Sequence, residues 1–129
     1  MAEGDRSKGS LDRVLGDLRA LSGDIASCGV ISKRGELLSS SHEEGVDRER
    51  VEAMLAALAN LAGRVARENG KQEASQVRIK AEGGYAILVR LEGGGSLAAT
   101  TGPDARVGLV LYDMRNARDE VERVMEGGE

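Results

Sequence analysis

Apolar positions recur along this chain with two periods, one helical and one alternating. Leu11, Val14, Leu15, Leu18 and Leu21 lie at helical spacing. Ser10 precedes them as a residue able to cap a helix, and Asp12 falls in the first turn, where the helix dipole favours an acid. The spacing predicts a first helix from Ser10 to Gly23, with residues 1–9, polar and Gly-rich, as a disordered tail. Ile25–Ser32 mixes Ile, Val, Ala and Cys on both alternating faces, the pattern of a central strand covered on both sides. Lys33-Arg34-Gly35 reads as a short turn with Gly where a positive φ is needed. Glu36–Ser40 returns as a second, more polar strand, and Ser41–Val46 reads as a loop.

Asp47 is placed to cap a second helix running from Arg48 to Asn69, with Asn69-Gly70 as its stop. Val51, Met54, Leu55, Leu58, Leu61, Ala62 and Val65 form one stripe, and Ala53, Ala56, Ala57 and Asn60 line the opposite side. Between Ala53 and Gly63 the only polar side chain is Asn60, over about three turns. A helix that is apolar all round is buried all round. In a small domain one face meets the sheet, so the other needs a second partner.

Three strands follow. Gln76–Glu82 alternates Val77, Ile79 and Ala81 against Gln76, Arg78, Lys80 and Glu82, the pattern of a half-exposed edge strand. Gly83-Gly84 turns into Tyr85–Glu92, and Gly93-Gly94-Gly95 turns into Ser96–Thr101. Gly102-Pro103-Asp104 then breaks the sheet and starts a last helix, Arg106–Met125, leaving residues 127–129 to fray. The order is α-β-β-α-β-β-β-α. It describes an α/β (α+β) domain over residues 10–126, with one five-stranded antiparallel sheet and helices on both faces.

Composition narrows what such a domain does. The 129 residues suit one domain, large enough to fold without disulfide or metal. There is no Trp or Phe, and Tyr85 and Tyr112 are the only aromatics, so the core is aliphatic and thin, which weighs toward oligomerisation. The net charge of −4 comes without a basic stripe or stacking aromatics, which argues against nucleic acid as a partner. The N-terminal residues lack the apolar stretch of a secretory signal, no apolar run is long enough to span a bilayer, and the single Cys28 forms no intrachain disulfide. These features predict a cytoplasmic protein without membrane insertion.

Catalytic and cofactor chemistry is sparse. Cys28 sits in an apolar strand, where a buried, inert thiol is the ordinary state. His42, the only histidine, falls in the expected loop, and His42-Glu43-Glu44 lacks the second histidine of a zinc-protease helix. No metal site, cofactor site or general acid–base pair is marked. Gly70-Lys71-Gln72 lacks both the first Gly and the hydroxyl of a phosphate-binding loop, and Gly93–Gly95 leads into a strand, not a helix. The chain is not expected to bind or hydrolyse GTP itself, nor to be an enzyme. Asn60 is open to two readings, a solvated helix residue or a polar pin in a helix–helix interface.

Three segments together resemble the Roadblock family (dynein-light-chain Roadblock type). IASCGVISKRGELLSSS at Ile25–Ser41 is similar to that family's first hairpin, and VEAMLAALANLAGRVARENG to its alanine-rich second helix. The run from Val77 through TTGPDARVGLVLYDMRNARDEVERVM is similar to its closing β-β-β-α unit. The resemblance covers residues 10–126 and rests on element order and residue character. It implies a dimer built by pairing the third strand and packing the second helix antiparallel with its twin. It implies a platform that regulates or anchors a small Ras-like GTPase. The alternative is a structural dimerisation or adaptor module in a larger assembly without a GTPase. A small-molecule sensor of related shape and an enzyme are lesser alternatives.

On this reading Ala53, Ala56, Ala57, Asn60, Val77 and Ile79 form the homodimer interface. Arg64 and Arg67, with Glu49 and Glu52 at the opposite ends, form a charged rim for the partner.

Overall fold

A computed structural model of the chain describes residues 2–68 and 75–127. Eight elements follow the expected order: α1 (Ala2–Leu21), β1 (Ile25–Ile31), β2 (Leu37–His42), α2 (Arg48–Glu68), β3 (Gln76–Ala81), β4 (Gly84–Arg90), β5 (Ser96–Thr101) and α3 (Val107–Gly127). The strands form one antiparallel sheet in the order β2-β1-β5-β4-β3. β1 is internal and almost wholly buried, as its two-sided apolar pattern requires, and β3 lies at an edge.

The boundaries differ from the sequence reading in three places. α1 starts at Ala2, so Ser10 lies inside the helix and is not its cap, and helix replaces the disorder expected there from residue 2 onward. β2 runs on to His42, which takes that residue out of the expected loop. α2 ends at Glu68; the expected stop at Asn69-Gly70 lies outside the described residues, as do Lys71-Gln72 and residues 128–129.

The two faces of the sheet carry unequal cover. α1 and α3 pack side by side on one face, over β1, β2 and β4. There Leu11, Val14, Leu15 and Leu18 of α1 and Val110, Met114 and Val121 of α3 close on Cys28, Val30, Ile87, Val89, Leu97 and Ala99. The other face has α2 alone, over β2, β1 and β5. Its core is smaller: Leu55, Leu58 and Ala62 on Ile31, Leu88 and Ala98, with Val77 at its margin. Gly29 lets α2 come close, since a Cβ there would stand 3.2 Å from the Leu55 side chain and 3.0 Å from that of Leu37.

The helix starts are capped in different ways. Asp47 receives the Arg50 N–H at 3.4 Å on its side chain and the Val51 N–H at 3.1 Å on its carbonyl, the expected cap of α2. α3 is held from a distance: Asp24, in the α1–β1 connection, accepts the Arg106 backbone N–H at 3.0 Å and its Nε–H at 3.1 Å. The Arg106 backbone N–H, then its side chain, hold the Asp24 carboxyl below the usual carboxylate range.

Gly84 has the tightest backbone approach of the sheet. Its φ is +142°, and a Cβ there would stand 1.9 Å from the Thr101 carbonyl oxygen. Gly83 next to it has open space. Gly84→Ala is expected to lose at least about 2 kcal/mol of stability in urea unfolding, whereas Gly83→Ala stays within about 1 kcal/mol of the parent.

Candidate functional site: the exposed face of α2 and β3

α2 buries Leu55, Leu58, Ala62 and Ala66 against its own sheet, and the rest of its apolar stripe is left outside. Met54, Leu61 and Val65 are 46%, 51% and 50% exposed, and Ile79 on β3 is 43% exposed. This corrects the sequence reading, which put Met54, Leu61 and Val65 on the sheet-facing stripe. That stripe is wider than one contact: its Leu55–Leu58–Ala62 side meets the sheet, while its Met54–Leu61–Val65 side overhangs toward β3, which α2 does not cover.

Between the overhang and the edge strand runs an apolar groove of about 480 Å³. Met54, Ala57, Leu58 and Leu61 form one wall, Ile79 and Ala81 the other, and Ala86 and Thr100 line it too. Of the residues expected at a dimer interface, Ala57 and Ile79 line this groove. Val77 is half-buried against the α2 core, and Ala53 is exposed on the outer surface of α2. Ala56 is half-buried and away from the groove. Asn60 belongs to the other flank, where its Oδ1 would stand 2.5 Å from a Cβ on Gly35, so it packs on the β1–β2 turn of its own chain.

The expected charged rim is also divided. Arg64 and Glu49 are exposed. Arg67 folds back along α2, its guanidinium 3.3 Å from where a Cβ of Gly63 would be. Glu52 turns inward to β2 and accepts hydrogen bonds from Ser40 at 2.6 Å and His42 Nε2 at 3.1 Å, with Arg48 at 3.6 Å.

His42, with a side chain only 3% exposed, also meets Ser27 Oγ through Nδ1 at 2.8 Å. The expected solvated His42 is thus a buried link between β2, β1 and α2. Alternation along β2 was the signal that could have found it, since Ser40 and His42 lie two apart and share the face toward α2.

Cys28 is fully buried, its Sγ 3.7 Å from the Leu15 carbonyl, and burial pushes its thiol up to about 12, so it stays protonated at neutral pH. Among the described residues, no group of His, Cys, Asp or Glu is arranged to hold a metal, and no helix is long and apolar enough to cross a membrane.

The Roadblock/LC7 domain model matches residues 12–101. An uncharacterized protein of Methanocaldococcus jannaschii is 33% identical over 112 residues, covering 87% of this chain and 96% of that protein. Among solved structures, the Roadblock/LC7 domain from Streptomyces avermitilis is similar at 29% identity and a TM-score of 0.66, over 85% of this chain and 96% of that one. MglB of Myxococcus xanthus is similar in fold at 18% identity and a TM-score of 0.73, over 100% of this chain and 94% of that one.

Glu52 gives this region a pH dependence. The Ser40 hydroxyl is the largest influence holding its carboxyl below the ordinary value of 4.5, with His42 and Arg48 adding to it against partial burial. A carboxylate with a depressed folded pKa stabilises the fold above its unfolded pKa, and that contribution is lost as pH falls through the folded value. Glu52→Gln is therefore expected to lower the urea midpoint at pH 7. The gap to the parent should narrow steadily once the pH drops below about 4.5.

Proposed function

The chain belongs to the Roadblock/LC7 domain family, and from that premise we propose that it is a homodimeric, non-enzymatic platform for a small Ras-like GTPase, which it regulates or anchors in the cytoplasm. The observation that carries the reading is the continuous exposed apolar face along α2 and β3. Met54, Ala57, Leu61, Val65 and Ile79 stand together on one side of a small domain. A contiguous apolar surface of this kind marks an interaction site.

A second copy related by two-fold symmetry meets that surface best, because both halves of the contact are then the same patch. β3 offers an edge whose outer hydrogen-bonding groups can continue into a twin strand. Such pairing sets Ile79 beside its counterpart and brings the Met54–Leu61–Val65 flank of each α2 against the other. The small side chains of Ala53 and Ala57 allow close approach. Ala56 and Asn60 drop out of the seam, and Met54, Leu61 and Val65 enter it.

Paired α2 helices leave their outward surfaces as a shallow saddle edged by Arg64 and Glu49, and there the GTPase docks. Exposed charges of this kind steer encounter and select partners more than they add affinity. Arg67 and Glu52 sit on the far flank and contribute less than the sequence pattern suggests. No residue of the saddle needs to act as a catalytic finger, since platform proteins work by placing a partner.

Leu61→Glu puts a charge into the seam at a position already half exposed in the single chain, so the fold should survive. Sedimentation is expected to give a folded monomer where the parent is a dimer. Arg64→Glu should keep the dimer and weaken capture of a nucleotide-loaded small GTPase by roughly tenfold, less so at high salt. A parent that sediments as a monomer would overturn the dimer. A folded dimer that captures no GTPase in either nucleotide state would leave only the adaptor role.

A further inference from the structure

The layer of α1 and α3 carries an exposed apolar patch on the face of the sheet opposite the groove. Asp24 bonds both the backbone and the side chain of Arg106, and so holds the end of α1 against the start of α3. Leu21 lies three residues before that link and Leu109 three after it, and both are exposed. Tyr112 follows Leu109 at i+3, on the same side of α3, and is 62% exposed. The chain has only two aromatic residues; Tyr85 packs against the core, while Tyr112 stands on the surface.

Beside the patch sits an acid whose bonding is incomplete. Asp113 is only 8% exposed, and no described residue gives its carboxyl group a hydrogen bond or an ion pair. Its oxygens are not sealed off from the surface. Arg115 reaches Gln76 of β3 from one flank of α3. Asp113, two residues or about 200° away around the helix, lies on the opposite flank, toward α1. A carboxyl group withdrawn from water without a donor costs free energy, and a cation brought by another molecule removes that cost.

We propose that the α1–α3 face is a second docking surface, and that it takes a helix of a partner protein presenting an arginine or lysine beside apolar side chains. The partner's cation meets Asp113 in the crevice between the two helices, and its apolar residues cover Leu21, Leu109 and Tyr112. The groove between two packed helices is a shape that accepts a third helix. A tyrosine anchor beside a charge pair shielded from water is the chemistry of an interface hot spot. A second copy of this chain fits the patch poorly. In a two-fold contact the patch meets itself, and the cations it holds are engaged, Arg106 by Asp24 and Arg115 by Gln76.

The surface shares no residue with the α2–β3 face and lies across the sheet from it, so both can be occupied at once. It stands whether or not the α2 face pairs.

The probe is an alanine-rich helical peptide with leucine at i and i+4 and arginine at i+7, titrated into the isotope-labelled full chain. A twin peptide carries glutamine in place of the arginine. Saturable shifts are expected at the amides of Leu21, Leu109, Tyr112 and Asp113, and not at those of Met54 and Leu61. Tyr112→Ala and Asp113→Asn are each expected to weaken the arginine peptide by about tenfold. Asp113→Asn should leave the glutamine peptide's affinity as it is in the parent, which isolates the charge pair.

Asp113→Asn should also melt no lower than the parent, because the carboxyl group has no partner in the fold to lose. The proposal is overturned if the arginine peptide gives no saturable shifts up to about 1 mM, if the shifts fall on the α2 groove, or if folded Asp113→Asn binds that peptide like the parent. It is overturned too if Asp113→Asn melts well below the parent, since the carboxyl group then serves the fold. Sedimentation of the parent beyond a dimer, abolished by Tyr112→Ala, would give the face to a second copy instead.

Discussion

An α-helix with its side chains is about 10 Å across, and neighbouring strands lie about 4.8 Å apart, so one helix shields roughly two to three strands of a sheet. The five-stranded sheet has two helices on one face and one on the other. α1 and α3 together close their face around a large aliphatic core. α2 cannot do the same alone. It sits toward β2, β1 and β5, and only part of β3 and the near part of β4 reaches its core: Val77 and Ala86 pack against it, while Ile79 is left exposed. The exposed face therefore follows from arithmetic of widths, not from any unusual residue.

The order and kind of the elements were legible because each carries its own local signal. β5 matches its expected span from Ser96 to Thr101, and Gly35, Gly94 and Gly95 take the positive φ that their turns required. The rotation of α2 about its axis was not legible. Met54, Leu61 and Val65 share a helical stripe with Leu55, Leu58 and Ala62, and periodicity alone cannot say which side of a wide stripe meets the chain's own sheet. The alanines divide between the two sides: Ala57 lines the groove beside Met54 and Leu61, while Ala56 lies away from it. Long-range partners were equally hidden. Asp24 caps α3 from a position 82 residues away, and Ser39 bonds Asp12 of α1.

Polar contacts on the far flank explain why α2 presents one side and not another. Glu52 is bonded to Ser40 and His42 of β2, and His42 is bonded in turn to Ser27 of β1. Asn60, two turns further on, packs against Gly35 in the turn of the same hairpin. These contacts tie one long side of the helix to β1 and β2, so the opposite side must overhang β3. A rotation by one residue, about 100°, would carry Glu52 off its hydroxyl partner and swing Leu61 out of line with Ile79.

The same anchoring gives the helix two flanks of different chemistry. Along the β3 side the exposed residues are apolar and the neighbouring edge can extend the sheet, so that side suits a large, dry, self-complementary contact. Toward the hairpin the described neighbours are backbone-level glycines, the hydroxyls of Ser32 and Ser96 and the side chains of Lys33, Arg67 and Arg90 around a small volume, a polar setting unlike the β3 side. Arg67 and Arg64 lie only three residues apart and both are exposed, yet only Arg67 lines the small cleft between the β1–β2 and β4–β5 turns.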